Sequence, residues 1–235
     1  MIERILDIAA RVCLIGSAVA ALAVLIVLIF SGAAEAGHVF DETGNAQLDG
    51  TLKIYSEREG SGSVTIIQLY PNPDQPDSCQ VDVITAYHVA QHGELLNDMQ
   101  TFRLLAKDEK ADLAIMRGKV MHPCASLAAA HLKAGGVPFA TPIWTVGYPL
   151  GERAYAEGFA GECTIDNDGL DWCMHRISGG FGASGSGIYA GTDLIGLTQR
   201  GVGDAGPYVM GVAPWHIQDF LDEVYDEWHS MKKDK

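Results

Sequence analysis

The chain has 235 residues, with 30 Asp and Glu against 16 Lys and Arg, a formal net charge of −14. That balance argues against nucleic acid and anionic lipid head groups as partners, because both are held by clustered Lys and Arg. Once an apolar N-terminal segment is set aside, roughly 200 residues remain, enough for one domain with a real core rather than two.

From Val12 to Phe30 runs an uncharged stretch of 19 residues rich in Ala, Val, Leu and Ile, preceded by Arg4 and Arg11 and followed by no Lys or Arg until Lys53. It is long enough to cross a bilayer as a helix, and the charge bias leaves the N-terminus inside and the bulk of the chain outside the cytoplasm. Residues 1–31 therefore read as a membrane anchor or signal segment. Ala34-Glu35-Ala36 has the form of a signal-peptidase site, so cleavage after Ala36 would release a secreted domain. The apolar run exceeds a signal core, which favours the uncleaved anchor. Residues 32–50, small and Gly-Ala-rich, read as a flexible tether, and residues 51–235 as the folded domain.

Within that domain, short apolar runs of strand length follow one another: Thr51 to Tyr55, Val64 to Tyr70, Val81 to Ala86, Phe102 to Leu105, Leu113 to Met116, Pro142 to Gly147, Ala154 to Ile165, Gly187 to Ala190 and Leu194 to Thr198. Pro-, Asp- and Gly-rich loops separate them, the pattern of an all-β sandwich or barrel. The end changes period. Pro214 opens a segment in which Ile217, Phe220, Leu221, Val224 and Trp228 recur at helical spacing, which predicts a C-terminal helix whose apolar stripe faces a core.

Four cysteines lie outside the apolar run: Cys79, Cys124, Cys163 and Cys173. They permit three pairings. Cys163 and Cys173 bracket an Asp168-Gly169 hairpin signal, so a bridge there is the natural expectation, leaving Cys79 with Cys124. Unpaired buried thiols are the alternative. No close Cys-x-x-Cys or Cys-x-x-His pair suggests zinc, and no metal or organic cofactor is expected.

Three segments carry chemistry: Thr85-Ala86-Tyr87-His88, Asp112-Leu113-Ala114 and Gly182-Ala183-Ser184-Gly185. A serine hydroxyl attacks a carbonyl poorly unless a base takes its proton, and a neutral imidazole suits that task. The alternation upstream of His88 predicts a strand that delivers it to a short turn. Leu113 to Met116 would pin Asp112 against the core. The glycines around Ser184 allow the backbone amides of Gly182 and Ser184 to converge on a developing oxyanion. Histidine, acid, serine is the chain order of one convergent solution to this chemistry. An α/β-hydrolase elbow is excluded, since it needs glycine two residues after the serine, where Ser186 stands, and an acid downstream of it.

At these residues the chain resembles the trypsin-like serine peptidases of the chymotrypsin fold, in their compact bacterial, HtrA-like form. Thr145-Val146-Gly147-Tyr148-Pro149-Leu150-Gly151 and Leu194-Ile195-Gly196-Leu197-Thr198 extend the likeness. The resemblance implies two six-stranded antiparallel β-barrels with the C-terminal helix packed on the second, a peptide or protein substrate, and a His88-Asp112-Ser184 triad. By the same likeness Ser178 lies at the base of the substrate pocket, with Thr198 and Arg200 on its walls and rim. An uncharged base disfavours Lys or Arg in the substrate. Ala183 stands where the digestive members carry an activating aspartate, so that switch is absent. The remaining alternative is a catalytically silent module that keeps the peptidase fold and binds a protein partner through the cleft.

Overall fold

The computed structural model describes residues 50–56, 60–91, 95–97, 100–201 and 207–233. The anticipated membrane segment, and the tether up to residue 49, lie outside the described residues. Among the described residues no helix is long and apolar enough to cross a membrane.

The first half contains β1 (Thr51–Ser56), β2 (Gly60–Pro71), β3 (Cys79–Ala86), the short helix α1 (Tyr87–Ala90), β4 (Leu95–Asn97), β5 (Gln100–Asp108) and β6 (Leu113–Val120). The strands pair antiparallel in the order β1-β2-β3-β6-β5-β4, and Tyr55 opposite Leu96 closes the sheet into a barrel. The short interval between His88 and Asp112 is thus sufficient, because β4 and β5 both fit inside it.

β3 shows why the site is rigid. Its alternation reads as one buried face, yet seven of its eight residues are buried. Cys79, Val81 and Val83 fill the barrel interior with Ile54, Val64, Phe102 and Met116. Ile84, on the opposite face, joins a second core with Leu113, Ile115, Trp172, Tyr189, Leu197, Ile217 and Phe220. A strand covered on both faces holds what it carries firmly.

The second half contains β7 (His131–Leu132), β8 (Pro142–Gly147), β9 (Ala154–Phe159), β10 (Cys163–Ile165), β11 (Asp171–His175), β12 (Gly187–Ala190), β13 (Asp193–Leu197), β14 (Arg200–Gly201), β15 (Val209–Val212) and helix α2 (Pro214–Lys233). Here the expected six-stranded barrel is corrected: the strands form a five-stranded sheet, β7-β13-β12-β8-β9, and a four-stranded sheet, β10-β11-β15-β14. The reason is ladder length. β7 and β14 have two residues each, and the run expected from Ala154 to Ile165 breaks into β9 and β10. Among the described residues, one bridge between Phe159 and Arg176 joins the sheets.

Helix α2 packs on both halves rather than on the second alone. Ile217, Phe220 and Leu221 enter the core shared with β3 and β6. The Tyr225 hydroxyl donates to Asp82 Oδ2 at 3.1 Å. Asp82, fully buried on β3, also receives Arg117 Nε at 2.6 Å and Nη2 at 2.8 Å and the Tyr70 hydroxyl at 2.7 Å. Burial pushes the Tyr70 hydroxyl up to about 12 and raises that of Tyr225, so both remain donors to the carboxylate. Breaking such a buried pair by removing one partner costs about 3–5 kcal/mol.

Of the three possible pairings, the structure has Cys79–Cys124 and Cys163–Cys173. The second joins residues directly opposite each other on β10 and β11.

Candidate active site

His88 sits in α1 directly after β3. Asp112 occupies the turn before β6. Because β3 and β6 pair along their whole length, ending at Ala86 opposite Leu113, the register brings the two residues together. Two contacts lock them: His88 Nδ1 lies 2.8 Å from Asp112 Oδ2, and the His88 backbone N–H donates to Asp112 Oδ1 at 2.9 Å. The Asp112 side chain is 11% exposed and that of His88 43%. The neutral tautomer that satisfies this contact carries its proton on Nδ1, which leaves the Nε2 lone pair outward as a base.

Asp112 adopts a left-handed backbone at φ 54°, unusual for a residue other than glycine. Its surroundings hold it there. The Tyr87 amide donates to the Asp112 carbonyl at 2.9 Å. The Gln199 side-chain amide, 2% exposed, donates to the Ala111 carbonyl at 2.7 Å and the Asp112 carbonyl at 2.6 Å, and its Oε1 accepts from the Val212 amide at 2.5 Å. Sequence reasoning missed Gln199. A side chain that bonds a backbone 87 positions away has no local signature.

Ser184 lies in the loop between β11 and β12, braced by β2. The Ser63 amide donates to the Ser184 carbonyl at 2.9 Å, and Ser63 Oγ donates to the Gly182 carbonyl at 2.8 Å while accepting from the Tyr148 amide at 3.0 Å. Thr85 Oγ1 donates to the Ser63 carbonyl at 2.8 Å. Ser63, buried and likewise unforeseen, thereby ties the serine loop to the strand that carries His88. Gly182 and Gly185 have φ of 91° and 89°. A Cβ on Gly182 would collide with the Tyr148 carbonyl, and one on Gly185 with the Ser63 carbonyl and Thr85 Oγ1. Glycine is required at both positions.

The two amides expected to face an oxyanion make no hydrogen bond among the described residues. Each belongs to a peptide whose carbonyl, on the opposite edge, is occupied. The Phe181 carbonyl accepts from the Leu150 amide at 2.6 Å, and the Ala183 carbonyl from the Ser186 amide at 3.0 Å and its Oγ at 2.5 Å. No hydrogen bond joins His88 to Ser184.

The expected pocket residues are dispersed in character. Ser178 is exposed. Thr198, 4% exposed, lies one residue past β13; its carbonyl accepts from the Gly185 amide at 2.7 Å, and its Oγ1 has no partner among the described residues. Arg200 is exposed, its guanidinium 4.3 Å over the Trp172 ring. His175, 4% exposed, accepts from the Gly161 amide at 3.4 Å, and burial drops its imidazole to about 4. It is an interior histidine at the end of β11 rather than a residue of a surface loop.

No family model matches the chain. No curated protein matches it either. Solved structures do. Rv3671c of M. tuberculosis H37Rv, a protease crystallised in an inactive form as a serine-to-alanine variant, superposes with a TM-score of 0.60 at 16% identity, over 80% of this chain and 92% of that one. The HtrA-type protease AlgW with a decapeptide gives 0.60 at 14% identity, over 77% of this chain and 66% of that one. AlgW with a tripeptide gives 0.56 at 18%, over 72% and 57%. The chain thus spans less than two thirds of those AlgW chains. Its neighbours in fold are HtrA-type and trypsin-like serine proteases, and at such identities the likeness is one of fold.

Proposed function

We propose that this chain is a serine endopeptidase, tethered by residues 1–31 to a membrane with its folded domain outside the cytoplasm. The observation that carries the reading is the two-point clamp of His88 on Asp112, beside a serine loop whose Gly182 and Ser184 amides are unused. In this scheme His88 Nε2 removes the Ser184 proton, and Oγ attacks the carbonyl carbon of the scissile peptide. Asp112 holds the tautomer and stabilises the imidazolium. The tetrahedral oxyanion is received by the two amides, each worth about 3–4 kcal/mol in such sites. His88 then protonates the leaving amine, and water hydrolyses the acyl-enzyme. The peptide complexes of AlgW support a peptide or protein as substrate.

Two disulfides support an oxidising compartment, where they form and persist. A reporter enzyme fused after Lys235 tests export, and reporter activity confined to the cytoplasm would reject it.

The missing hydrogen bond between His88 and Ser184 favours one other reading, a silent module that binds a protein through the cleft. Unliganded catalytic sites commonly leave such contacts loose until substrate arrives. A fluorophosphonate probe separates the two: an activated Ser184 is labelled covalently, and Ser184→Ala loses both labelling and turnover while keeping its fold. Hydrolysis that survives in Ser184→Ala would end the peptidase reading.

A further inference from the structure

The outer face of the first barrel carries a cavity that the chemistry above does not use. It measures about 370 Å³ and lies between the β2–β3 loop and the faces of β3, β5 and β6. Arg103, Arg117 and Lys119 line it together with the amides of Asn72, Gln75 and Gln80, and no Asp or Glu does. Asp74 and Asp77 belong to the same loop but are not part of its wall. In a chain with nearly twice as many acids as bases, three cations and no carboxylate in one cavity reverse the sign of the molecule as a whole.

The register concentrates this charge. Arg103 on β5 stands directly opposite Arg117 on β6, and Lys119, two residues on, shares the face with Arg117. Opposite positions are roughly 5 Å apart and alternate ones about 7 Å. Like charges placed so close oppose folding unless something neutralises them. Asp82 neutralises one. Its two oxygens accept four hydrogen bonds, two from Arg117 and one each from Tyr70 and Tyr225, which fills a carboxylate. It has no capacity left for Arg103 or Lys119. The Lys119 ammonium has one partner among the described residues, the uncharged Gln75 Oε1 at 2.7 Å. The neutral groups favour the same sign of ligand. Gln75 Oε1 is taken by Lys119, and Asn72 Oδ1 by the Asp74 amide at 3.0 Å, so what these two amides have left to offer is N–H.

We infer that this cavity binds a compact oxyanion of the phosphate type, free or carried as the monoester of a small molecule. Guanidinium, ammonium and amide N–H groups brought together suit an anion with several acceptor oxygens on one centre. The cavity has the size of a small-ligand site. Its one large apolar side chain is Leu105, so little there would hold the hydrocarbon of a bulkier partner. Arg117 is preorganised, fixed by Asp82 and lying 4.9 Å over the Tyr70 ring. The site stands apart from the peptidase reading and does not depend on Ser184 being activated.

Isothermal titration of the full chain in detergent at low salt, with inorganic phosphate and with glycerol 3-phosphate, tests the inference. Saturable one-to-one binding is expected, and the tighter of the two ligands identifies the free ion or the ester as the source. Lys119→Gln and Arg103→Gln, at positions that are not buried, each remove a charge-assisted hydrogen bond and should weaken binding about ten- to a hundredfold. Lys133→Gln, which removes a lysine paired with Asp193 in the other half, should leave it unchanged. Absence of saturable binding, variants that bind like the parent, or an equal loss in Lys133→Gln would overturn the inference. Tighter binding of an oligoglutamate peptide, lost in the same variants, would also overturn it and give the face to acidic protein segments. Fluorophosphonate labelling of Ser184 is a separate readout, so failure of either reading leaves the other standing.

Discussion

Gln199→Met tests how the acid is held. Methionine matches glutamine in length and removes all three hydrogen bonds of the side-chain amide. The Asp112 carbonyl keeps the Tyr87 amide, so the buried groups left without these partners are the Ala111 carbonyl and the Val212 amide. At about 1–3 kcal/mol each, the stability loss is about 2–6 kcal/mol. A left-handed non-glycine residue stores about 1–3 kcal/mol, which the freed turn can release by relaxing. Relaxation rotates the Asp112 carboxylate off its two contacts with His88. The expected result is a fall in kcat of about ten- to a hundredfold, short of the roughly 10⁴-fold seen when a triad acid is made unable to orient its histidine, with KM nearly unchanged. Steady-state kinetics measures the split, and NMR of the hydrogen-bonded Nδ1 proton reports the pairing directly. A general loss of stability moves neither; Ile54→Val, in the barrel interior, is the control. A folded Gln199→Met protein with kcat within twofold of the parent and an intact Nδ1 resonance would refute the positioning argument.

Other perturbations have equally definite outcomes. His175 titrates near 4 when folded and near 6.5 when unfolded, so the unfolded chain binds more protons between these values. Its contribution is complete above pH 6.5 and declines by about 3 kcal/mol as the pH falls to 4. Denaturant unfolding at pH 7 and pH 4 should show a smaller pH difference in His175→Gln than in the parent; equal differences would refute the burial argument. Cys79 and Cys124 are separated by 45 positions and Cys163 and Cys173 by 10. Loop-closure entropy then assigns about 4 kcal/mol to the first bridge and about 3 to the second. Thermal unfolding of Cys124→Ser and Cys163→Ser should rank in that order, and the reverse order would contradict it. Gly185→Ala places a methyl group on the Ser63 carbonyl at a strained φ and is expected to abolish labelling; an active, stable Gly185→Ala protein would show that the brace can yield.

Much of this arrangement is legible in the sequence because it is local. The alternation ahead of His88, the apolar run after Asp112 and the glycines flanking Ser184 are short-range patterns, and β3, β6 and the 176–186 loop stand where those patterns place them. The cysteine pairing follows from one hairpin signal. What escapes is long-range. Ser63 lies in a Ser-Gly stretch with no hydrophobic period, and the partners of its hydroxyl are more than 80 residues away. Gln199 looks like any polar residue at a strand end. The second half departs from a closed barrel because alternation predicts a strand and says nothing of how many rungs its ladder will have. The left-handed turn at Asp112 is imposed by tertiary bonds against the residue's own preference.

The Tyr225 hydroxyl on Asp82 ties together residues 143 positions apart. A ribosome delivers Asp82 and Arg117 well before Tyr225, so a nascent chain holding only the first barrel has an ionic cluster short of one of its four hydrogen bonds and a bare apolar wall along Ile84, Leu113 and Ile115. The two halves are therefore not autonomous: a fragment ending in the loop after β6 is expected to be sticky and to recover solubility when the remainder is supplied in trans. The strand bearing the histidine is complete only when the far helix arrives, so assembly of the fold and assembly of the site finish in the same event.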